Sequence, residues 1–419
     1  MNELTNWAGN HVYRARGLLE PRSLDELQGI VRRSEQLRVL GSRHSFNDLV
    51  DTTGELVSLG RLPAEIAIDE HAATARVSAQ VRYGDLSQRL DAAGFAIPNL
   101  ASLPHISVAG ACATGTHGSG DAVGNLATAV SAIELVRADG ELVRMSRVDD
   151  ADRLETAVVG LGALGVVVGL TLELQRRFSV RQRVYEGLSL ATFMDRFDEI
   201  TASAYSVSFF TDWTDASFHQ VWLKTIAVGN SDEPPQELFG ARQAVTDLHP
   251  IRGFPADACT TQRGVPGPWH HRLPHFRLDH TPSAGAELQS EYLIDRRHIG
   301  AAVEAVQRLH ARVAPLVYVS EIRTVAADEL TLSPSYRRSS AAIHFTWKRD
   351  WPAVRDVLPD IERALEPFEP RPHWGKLFTM APEVVASRYR HRQSFAALAD
   401  QLDPAGTFRN DFVNRFVFS

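Results

Sequence analysis

Two stretches decide how this chain is read: Val39-Leu40-Gly41-Ser42-Arg43-His44-Ser45-Phe46-Asn47, and the later run Ser107-Val108-Ala109-Gly110-Ala111-Cys112-Ala113-Thr114-Gly115-Thr116-His117-Gly118-Ser119-Gly120. In the first, an apolar strand ends in Gly and Ser, so successive backbone N–H groups can turn toward one anion. In the second, small residues let the backbone approach a ligand closely, and the hydroxyls suit the rest of a pyrophosphate and a flat ring. The whole segment from 98 to 129 is rich in Gly, Ser, Thr and Ala and has no clear period. Long irregular segments inside a compact protein usually serve function.

Working outward, the N-terminal half reads as mixed helix and strand. Ser23-Leu24-Asp25-Glu26 forms a capping box ahead of Leu24, Leu27, Ile30 and Val31, which share one helical face. Leu37 to Leu40 reads as a strand ending at Gly41. Ile66–Asp69 and Ala75–Ser78 read as one hairpin, and Asp139-Gly140 turns Ile133–Val136 back into Leu142–Met145. Asp85 to Ala93 is helical, with Gly94 beyond its end.

Gly160-Leu161-Gly162-Ala163-Leu164-Gly165 matches the dinucleotide pattern G-x-G-x-x-G. That pattern must open a helix, so that a pyrophosphate sits on the helix N-terminus. Here it leads into Val166–Leu174, where Leu170, Leu172 and Leu174 alternate as in a strand. Glu186 stands at a suitable distance for a ribose acid, but the intervening helix is missing, so a tight turn packed near a ligand is the reading.

From about residue 176 longer alternating strands appear, among them Tyr205–Phe210, Leu316–Val319 and Ala342–Trp347. A Pro- and His-rich stretch, 249–283, reads as a long loop region. The chain closes with a helix over Ser387 to Leu402, a turn at Asp403–Gly406 and a short tail.

Composition excludes several classes. With 44% hydrophobic and 23% charged residues over 419 positions, the chain has the make-up of a globular protein with room for two or three domains. Its 44 basic and 51 acidic residues give a net charge of −7, and the basic pairs Arg32-Arg33 and Arg337-Arg338 are isolated. A nucleic-acid partner needs clustered Lys and Arg, so none is expected. Cys112 and Cys259 are too few for a disulfide framework and are read as reduced thiols. His270, His271, His275 and His280 lack paired carboxylates and a helical His-x-x-x-His spacing, since Pro274 interrupts them. No metal is expected, and these histidines are read as structural or surface groups. The N-terminus shows no signal-peptide pattern, and no apolar run approaches the ~20 residues that span a bilayer. A soluble, cytoplasmic, monomeric protein without a membrane partner is the expectation.

Several longer motifs now combine with the two loops: Pro98–Ser107, Thr211-Asp-Trp, Val265-Pro-Gly-Pro-Trp, Glu287-Leu-Gln-Ser-Glu, Ser320-Glu-Ile-Arg-Thr and His373-Trp-Gly-Lys. Their order along essentially the whole chain resembles the vanillyl-alcohol-oxidase superfamily of FAD proteins, and within it the alditol (xylitol) oxidases. The resemblance implies an α+β protein: a two-subdomain FAD-binding fold plus a substrate domain whose mostly antiparallel sheet is flanked by helices. It implies an FAD domain over residues 1–175, with 377–419 returning to it, and a substrate domain over 176–376. The flavin ring would lie at their junction.

By the same resemblance FAD is the cofactor, tethered covalently through His44 to the flavin 8α-methyl group. Val39, Leu40, Gly41, Ser42, Arg43 and Ser45 would hold it from the first loop. Ser102, Ser107, Gly110, Thr114, Gly115, Thr116 and His117 would do so from the second, with Val167 and His373 adding contacts. The family pattern carries Gly at the position of Arg43; this Arg either pairs with a flavin phosphate or faces solvent. Cys112 is read as packing, so single attachment is expected.

The substrate side follows from the reaction. Alcohol oxidation moves a hydride from carbon and a proton from oxygen, and the alkoxide-like transition state favours nearby positive charge. Lys376 and Arg323 fit that need, with Lys376 next to the reacting hydroxyl as base or stabiliser and Arg323 polarising it. A polyol also needs several directional hydrogen bonds. Glu321 would accept them, with His344, Thr346 and Ser102 completing the polar lining by similarity. Glu321 and Arg323 lie two apart, as do His344 and Thr346, so each pair shares one face of its strand. The reading implies oxidation of the terminal hydroxyl of an alditol such as xylitol or sorbitol, with dioxygen reduced to hydrogen peroxide. An aldonolactone oxidase or dehydrogenase is the sibling alternative; a non-catalytic flavin- or sugar-binding protein is the alternative from another class.

Overall fold

Strand Ser340–Lys348 shows how alternation builds the largest element. Ala341, Ile343, Phe345 and Trp347 take one face, and His344 and Thr346 the other. The Phe345 and Trp347 rings stack at 4.9 Å and Trp213 stacks on Phe345 at 6.1 Å, all three buried. Burying each such side chain stabilises by roughly 3 kcal/mol. The indole N–H groups also find partners on that face: Trp347 donates to Ser290 Oγ at 2.8 Å and Trp213 to Ser320 Oγ at 2.7 Å.

The structure, a computed structural model, describes residues 4–228, 235–280 and 287–418. Its strands form a ten-stranded sheet whose central order runs Ser179–Ser189, Ser217–Ile226, Ser206–Thr211, Val317–Val325, Ser340–Lys348, Glu287–Asp295 and Arg371–Pro372. All of these neighbours are antiparallel. Helices Leu190–Ala202, Ile299–Gln307 and Trp351–Leu365 send Phe193, Val303, Val306, Val354 and Leu358 into the core that holds Phe345 and Trp347. The other face of the sheet carries the polar residues.

Besides a two-stranded pairing of Phe95–Ala96 with Gln175–Arg176, the N-terminal residues make two smaller sheets. Glu55–Val57 lies between Gly17–Leu19 and Leu37–Val39 in a parallel sheet, and a five-stranded antiparallel sheet runs Ile66–Asp69, Thr74–Ser78, Val166–Glu173, Val130–Val136, Leu142–Ser146. Both expected hairpins are therefore present. The protein is α+β, with a mostly antiparallel sheet flanked by helices.

Some expectations shift in detail. Ser23 Oγ accepts from Glu26 N–H, but Glu26 Oε2 accepts from the N–H of Arg22 at 2.8 Å, so the capping box closes one residue early. The helix read over 85–93 runs Tyr83–Ala92, and Gly94 follows at φ +84. The segment read as irregular contains a helix, Val108–Ala113. Its residues are too small to display an amphipathic period. The closing helix is two, Pro382–Ser387 and Arg392–Leu402. Tyr389, buried against Trp374 with ring centroids 4.7 Å apart, lies at the break. The tail is part of the core, with Phe408, Phe412 and Val417 all buried. Residues 249–280 hold only short elements, as expected of a loop region, and 281–283 lie outside the described residues.

Gly160–Gly165 opens no helix and leads directly into strand Val166–Glu173. Leu161 and Gly162 sit at φ +51 and +67. Their carbonyls accept from Arg38 at 2.7 and 2.9 Å; the same buried guanidinium also donates to the carbonyls of Leu49 and Phe408. Burial pushes the Arg38 pKa down to about 10, still far above neutrality. One cation thus ties strand Leu37–Val39, this turn and the tail together.

Candidate active site

A cavity of about 490 Å³ runs from the Gly41–Ser45 turn to the polar face of the large sheet. The turn follows strand Leu37–Val39, with Arg43 at φ +63 and exposed. His44 stacks on Trp7 at 5.3 Å, and its Nδ1 is buried with no hydrogen-bond partner among the described residues. Burial pushes the His44 pKa down to about 4, partly opposed by the Ser42 carbonyl, so its imidazole is neutral at pH 7. Ser42 Oγ accepts from Ser107 N–H at 3.3 Å, which joins the two loops. Ser107 Oγ is likewise buried without a partner among the described residues. A Cβ on Gly41 or Gly110 would lie 3.1 or 2.7 Å from that oxygen, which explains the glycines by space.

The opposite wall comes from strand register. Phe210, Glu321, His344 and Glu291 form one cross-strand row. Val319, Thr346 and Gln289 form the next. Glu291, fully inside, accepts from Arg323 Nη2 and Lys376 Nζ, each at 2.6 Å, and lies 3.5 Å from His117 Nε2. Burial alone would favour the neutral acid, but the neighbouring Lys376, His117 and Arg323 outweigh it and hold Glu291 well below the usual carboxylate range. Glu321 behaves alike: burial opposes, and Arg323 and His275 hold its pKa down. Its Oε1 accepts from His275 Nε2 at 2.7 Å and its Oε2 lies 3.6 Å from Arg323 Nε.

Lys376 arrives on a loop that hangs from the sheet edge. His373 N–H donates to the Glu291 carbonyl at 3.0 Å and Leu377 N–H to that of Gln289 at 2.8 Å. Burial lowers the Lys376 pKa, and Glu291 opposes. Two of its N–H groups are used, on Glu291 Oε2 and on His344 Nδ1 at 2.9 Å. The third is available to an oxygen in the cavity, into which the side chain is 14% exposed. Burial and then Lys376 hold the His344 pKa far down, so the ring is neutral, and with Nδ1 accepting from Lys376 its Nε2–H donates to Thr346 Oγ1, N to O 3.1 Å. Arg323 Nη1 reaches Ser102 Oγ at 3.5 Å, and His373 Nε2 reaches Thr116 Oγ1 at 3.4 Å.

The structure brings nearly every expected residue to this one cavity: Val39 to Ser45, Ser102, Ser107, Gly110, Thr114, Thr116, His117, Val167, Glu321, Arg323, His344, Thr346, His373 and Lys376. Gly115 does not line it; at φ +64 it turns the chain just past helix Val108–Ala113. Sequence reasoning assigned no role to Glu291, although Glu287, Gln289 and Glu291 alternate on one strand face and that pattern was there to be read. It also gave His275 no part in the site, where the structure has it bonded to Glu321. Among the described residues no three His, Cys, Asp or Glu converge as a metal site, and both cysteines are free and buried. No helix among them is long and apolar enough to cross a membrane.

Comparison with known proteins places this geometry. Residues 15–146 match the family model "FAD binding domain" and residues 286–416 the model "D-arabinono-1,4-lactone oxidase". A cholesterol oxidase from B. sterolicum superposes with a TM-score of 0.79 over 99% of this chain and 96% of that one, at 13% identity, which shows a shared fold. Fold and family models together define an FAD-dependent oxidase of the vanillyl-alcohol-oxidase type. An alditol oxidase from a Streptomyces species is 48% identical over 98% of both chains. An L-gulono-1,4-lactone dehydrogenase from Mycobacterium tuberculosis is 28% identical over 99% of this chain and 98% of its own. This chain belongs to the alditol oxidase family.

The cavity fits FAD on its own evidence. Ser107 Oγ and His44 Nδ1 are buried with no hydrogen-bond partner among the described residues, and unmatched buried polar groups are costly. The glycines keep open a cleft that a single methyl group would crowd.

Proposed function

We propose that this enzyme oxidises the terminal hydroxyl of an alditol such as xylitol or sorbitol to the aldehyde of the aldose, with dioxygen leaving as hydrogen peroxide. The observation that carries the reading is the balanced wall: Glu291 and Glu321 against Arg323 and Lys376, all facing the cavity that the glycine-lined cleft enters. Two negative and two positive groups, mutually paired, suit a neutral ligand rich in hydroxyls. An anionic sugar acid would meet two carboxylates.

FAD, when bound, supplies the acceptor for the hydride from the carbinol carbon and the route for that electron pair to dioxygen. Residues 1–175 and 377–419 are assigned to holding it, and 176–376 to the polyol. Neutral His44, whose Nδ1 has no hydrogen-bond partner among the described residues, is the nucleophile for a covalent tether at the flavin 8α-methyl group. Lys376 aims its third N–H at the reacting oxygen, and Arg323, held by both glutamates, adds fixed positive charge beside it. Glu321, Thr346 and Ser102 accept from or donate to the remaining hydroxyls. Phe210, Val319, Ile251 and Phe276 close the far side with apolar surface and keep water from competing.

A second reading rests on the lactone-oxidase model matched by residues 286–416: an aldonolactone as substrate. Mixing the purified enzyme anaerobically with excess xylitol, sorbitol or an aldonolactone while following flavin absorbance separates the two. Rapid bleaching by the alditols is expected. Bleaching by the lactone alone would overturn the proposal, and flavin released on denaturation would overturn the tether.

A further inference from the structure

On the same sheet face as Glu321, strand Ser217–Ile226 buries a lysine that the reaction above does not use. Lys224 is 1% exposed. Its Nζ contacts three acceptors: the Leu273 carbonyl, the Pro274 carbonyl at 3.2 Å and His275 Nδ1 at 3.0 Å. An ammonium has three N–H groups and no lone pair. With all three committed, His275 Nδ1 must accept. The ring proton is then forced onto Nε2, where it meets Glu321 Oε1 at 2.7 Å.

We propose that Lys224 is a positioning residue that locks the tautomer of His275 and, through it, aims Glu321 at the polyol. The inference rests on the reading of Glu321 as a polyol-binding carboxylate. With the lock in place, Glu321 spends one oxygen on His275 and keeps the other beside Arg323 at the cavity. Without it, His275 can carry its proton on Nδ1, which turns a bare Nε2 lone pair toward the carboxylate. Glu321 must then turn away or take up a proton, and either change costs hydroxyl recognition. The same arrangement occurs on the other side of the sheet row, where Lys376 donates to His344 Nδ1 and leaves the His344 Nε2 proton for Thr346.

The lock is sensitive to pH. Burial pushes the Lys224 pKa down to about 7; Glu321 opposes, Arg323 adds to the lowering, and the thiol of Cys259 opposes. His275 is pushed down to about 4 and stays neutral, and burial raises the Cys259 thiol to about 12. Gln182 and Ser206, opposite Lys224 on the two neighbouring strands, carry no charge. Trp222, on its own strand, lies with its ring 6.0 Å from Nζ. Loss of the Lys224 proton removes the third donor, so polyol binding weakens as pH rises through neutrality.

The test uses the FAD-loaded full chain with 15N-labelled histidine, the His275 signal being assigned by its absence in His275→Gln. At pH 6 the wild-type ring is expected to carry its proton on Nε2; a proton on Nδ1 overturns the proposal whatever the substrate proves to be. In Lys224→Met the KM for xylitol is expected to rise about tenfold with kcat changed less than about threefold, the loss expected from one hydrogen bond to a charged group. An unchanged KM overturns it. Glutamine at 275 places an amide donor where Nε2–H stands and has no tautomer to lose. The double variant Lys224→Met/His275→Gln is therefore expected to recover most of the lost KM, which a packing defect at 224 would not do. Should Lys224→Met fail to fold, His275→Gln alone decides, since its KM is expected to lose the alkaline rise and a retained rise overturns the proposal. Failure of the alditol reading would appear separately, as no bleaching of the wild type by any alditol.

Discussion

Around Gly41, Ser107 and Gly110 the cavity is lined by small residues, and Ser107 Oγ and His44 Nδ1 are buried without hydrogen-bond partners among the described residues. Along the wall of Glu291, Glu321, Arg323 and Lys376, each charge already has an opposite charge beside it. The first region is completed by its ligand; the second is completed by the protein before any ligand arrives. The difference fits the roles proposed for them, a cofactor in the cleft and a substrate at the wall. A bound cofactor can satisfy orphaned groups permanently, whereas a substrate that comes and goes must not leave buried charges stranded at each turnover. Injury to the wall is therefore expected to cost more than injury to the cleft.

Lys376→Met tests the wall most severely. It removes the cation proposed to face the reacting oxygen and leaves Glu291 with one charge partner fewer. Flavin reduction by xylitol under anaerobic conditions is expected to slow about a thousandfold, the upper end for loss of one group that stabilises developing charge. A loss below tenfold would mean that Arg323 alone carries that task.

The next effect is on stability. Glu291 and Glu321 have pKa values below their ordinary 4.5 in the folded protein. Groups lowered by folding stabilise fully above that value, and the contribution disappears as pH falls below it. Glu291→Gln is expected to be less stable than the wild type at pH 7 by about 3 kcal/mol, since it takes the carboxylate from Lys376 and leaves Arg323 with Glu321 alone. The gap should narrow as pH falls from 4.5. Denaturant unfolding at pH 7 and pH 3.5 reads this directly, and an equal gap at both pH values would show that the pairing is not its source.

Gly110→Ala moves the injury to the cleft. Its Cβ would sit 2.7 Å from Ser107 Oγ, too close without a shift. Crowding of this kind typically costs 1–3 kcal/mol, so flavin uptake is expected to weaken about tenfold. The acid-stability profile set by Glu291 should stay as in the wild type. A variant with full flavin content would show that Ser107 can move aside and that the glycine serves only the backbone.

The cleft was the more legible region from sequence, for a physical reason. A close approach to a ligand demands contiguous small residues, and Gly41-Ser42 and Ser107–Gly120 display that demand locally. Alternation also marked Glu321 with Arg323 and His344 with Thr346, because one strand presents both. Glu291 and His275 were not assigned because their importance arises across strands and from a loop. The row Glu321–His344–Glu291 exists only once three strands are in register. His275 lies in a Pro-interrupted segment with no period, and only folding brings it to Glu321. Nothing in the sequence singles out Lys224, and only the fold shows that residues on both faces of its strand are buried. The break at Tyr389 escaped for a related reason, since a periodic pattern does not reveal that one aromatic must turn in to meet Trp374.

Arg43→Gly probes the smallest effect and settles what Arg43 does in the cleft. Arg43 holds φ +63, a conformation that costs a side-chain-bearing residue about 1 kcal/mol and glycine almost nothing. Glycine also gives the unfolded chain more freedom, which offsets part of the gain. The net expectation is a stabilisation below about 1 kcal/mol in denaturant unfolding. The side chain is exposed while the backbone carbonyl accepts from Trp7 N–H at 2.8 Å, a bond glycine keeps. Flavin content is therefore expected to be unchanged, because the turn and not the guanidinium shapes the cleft around His44. A fall in flavin content with no loss of stability would move Arg43 into the set that holds the cofactor's phosphates, and would make the cleft, like the wall, a region that depends on a charge.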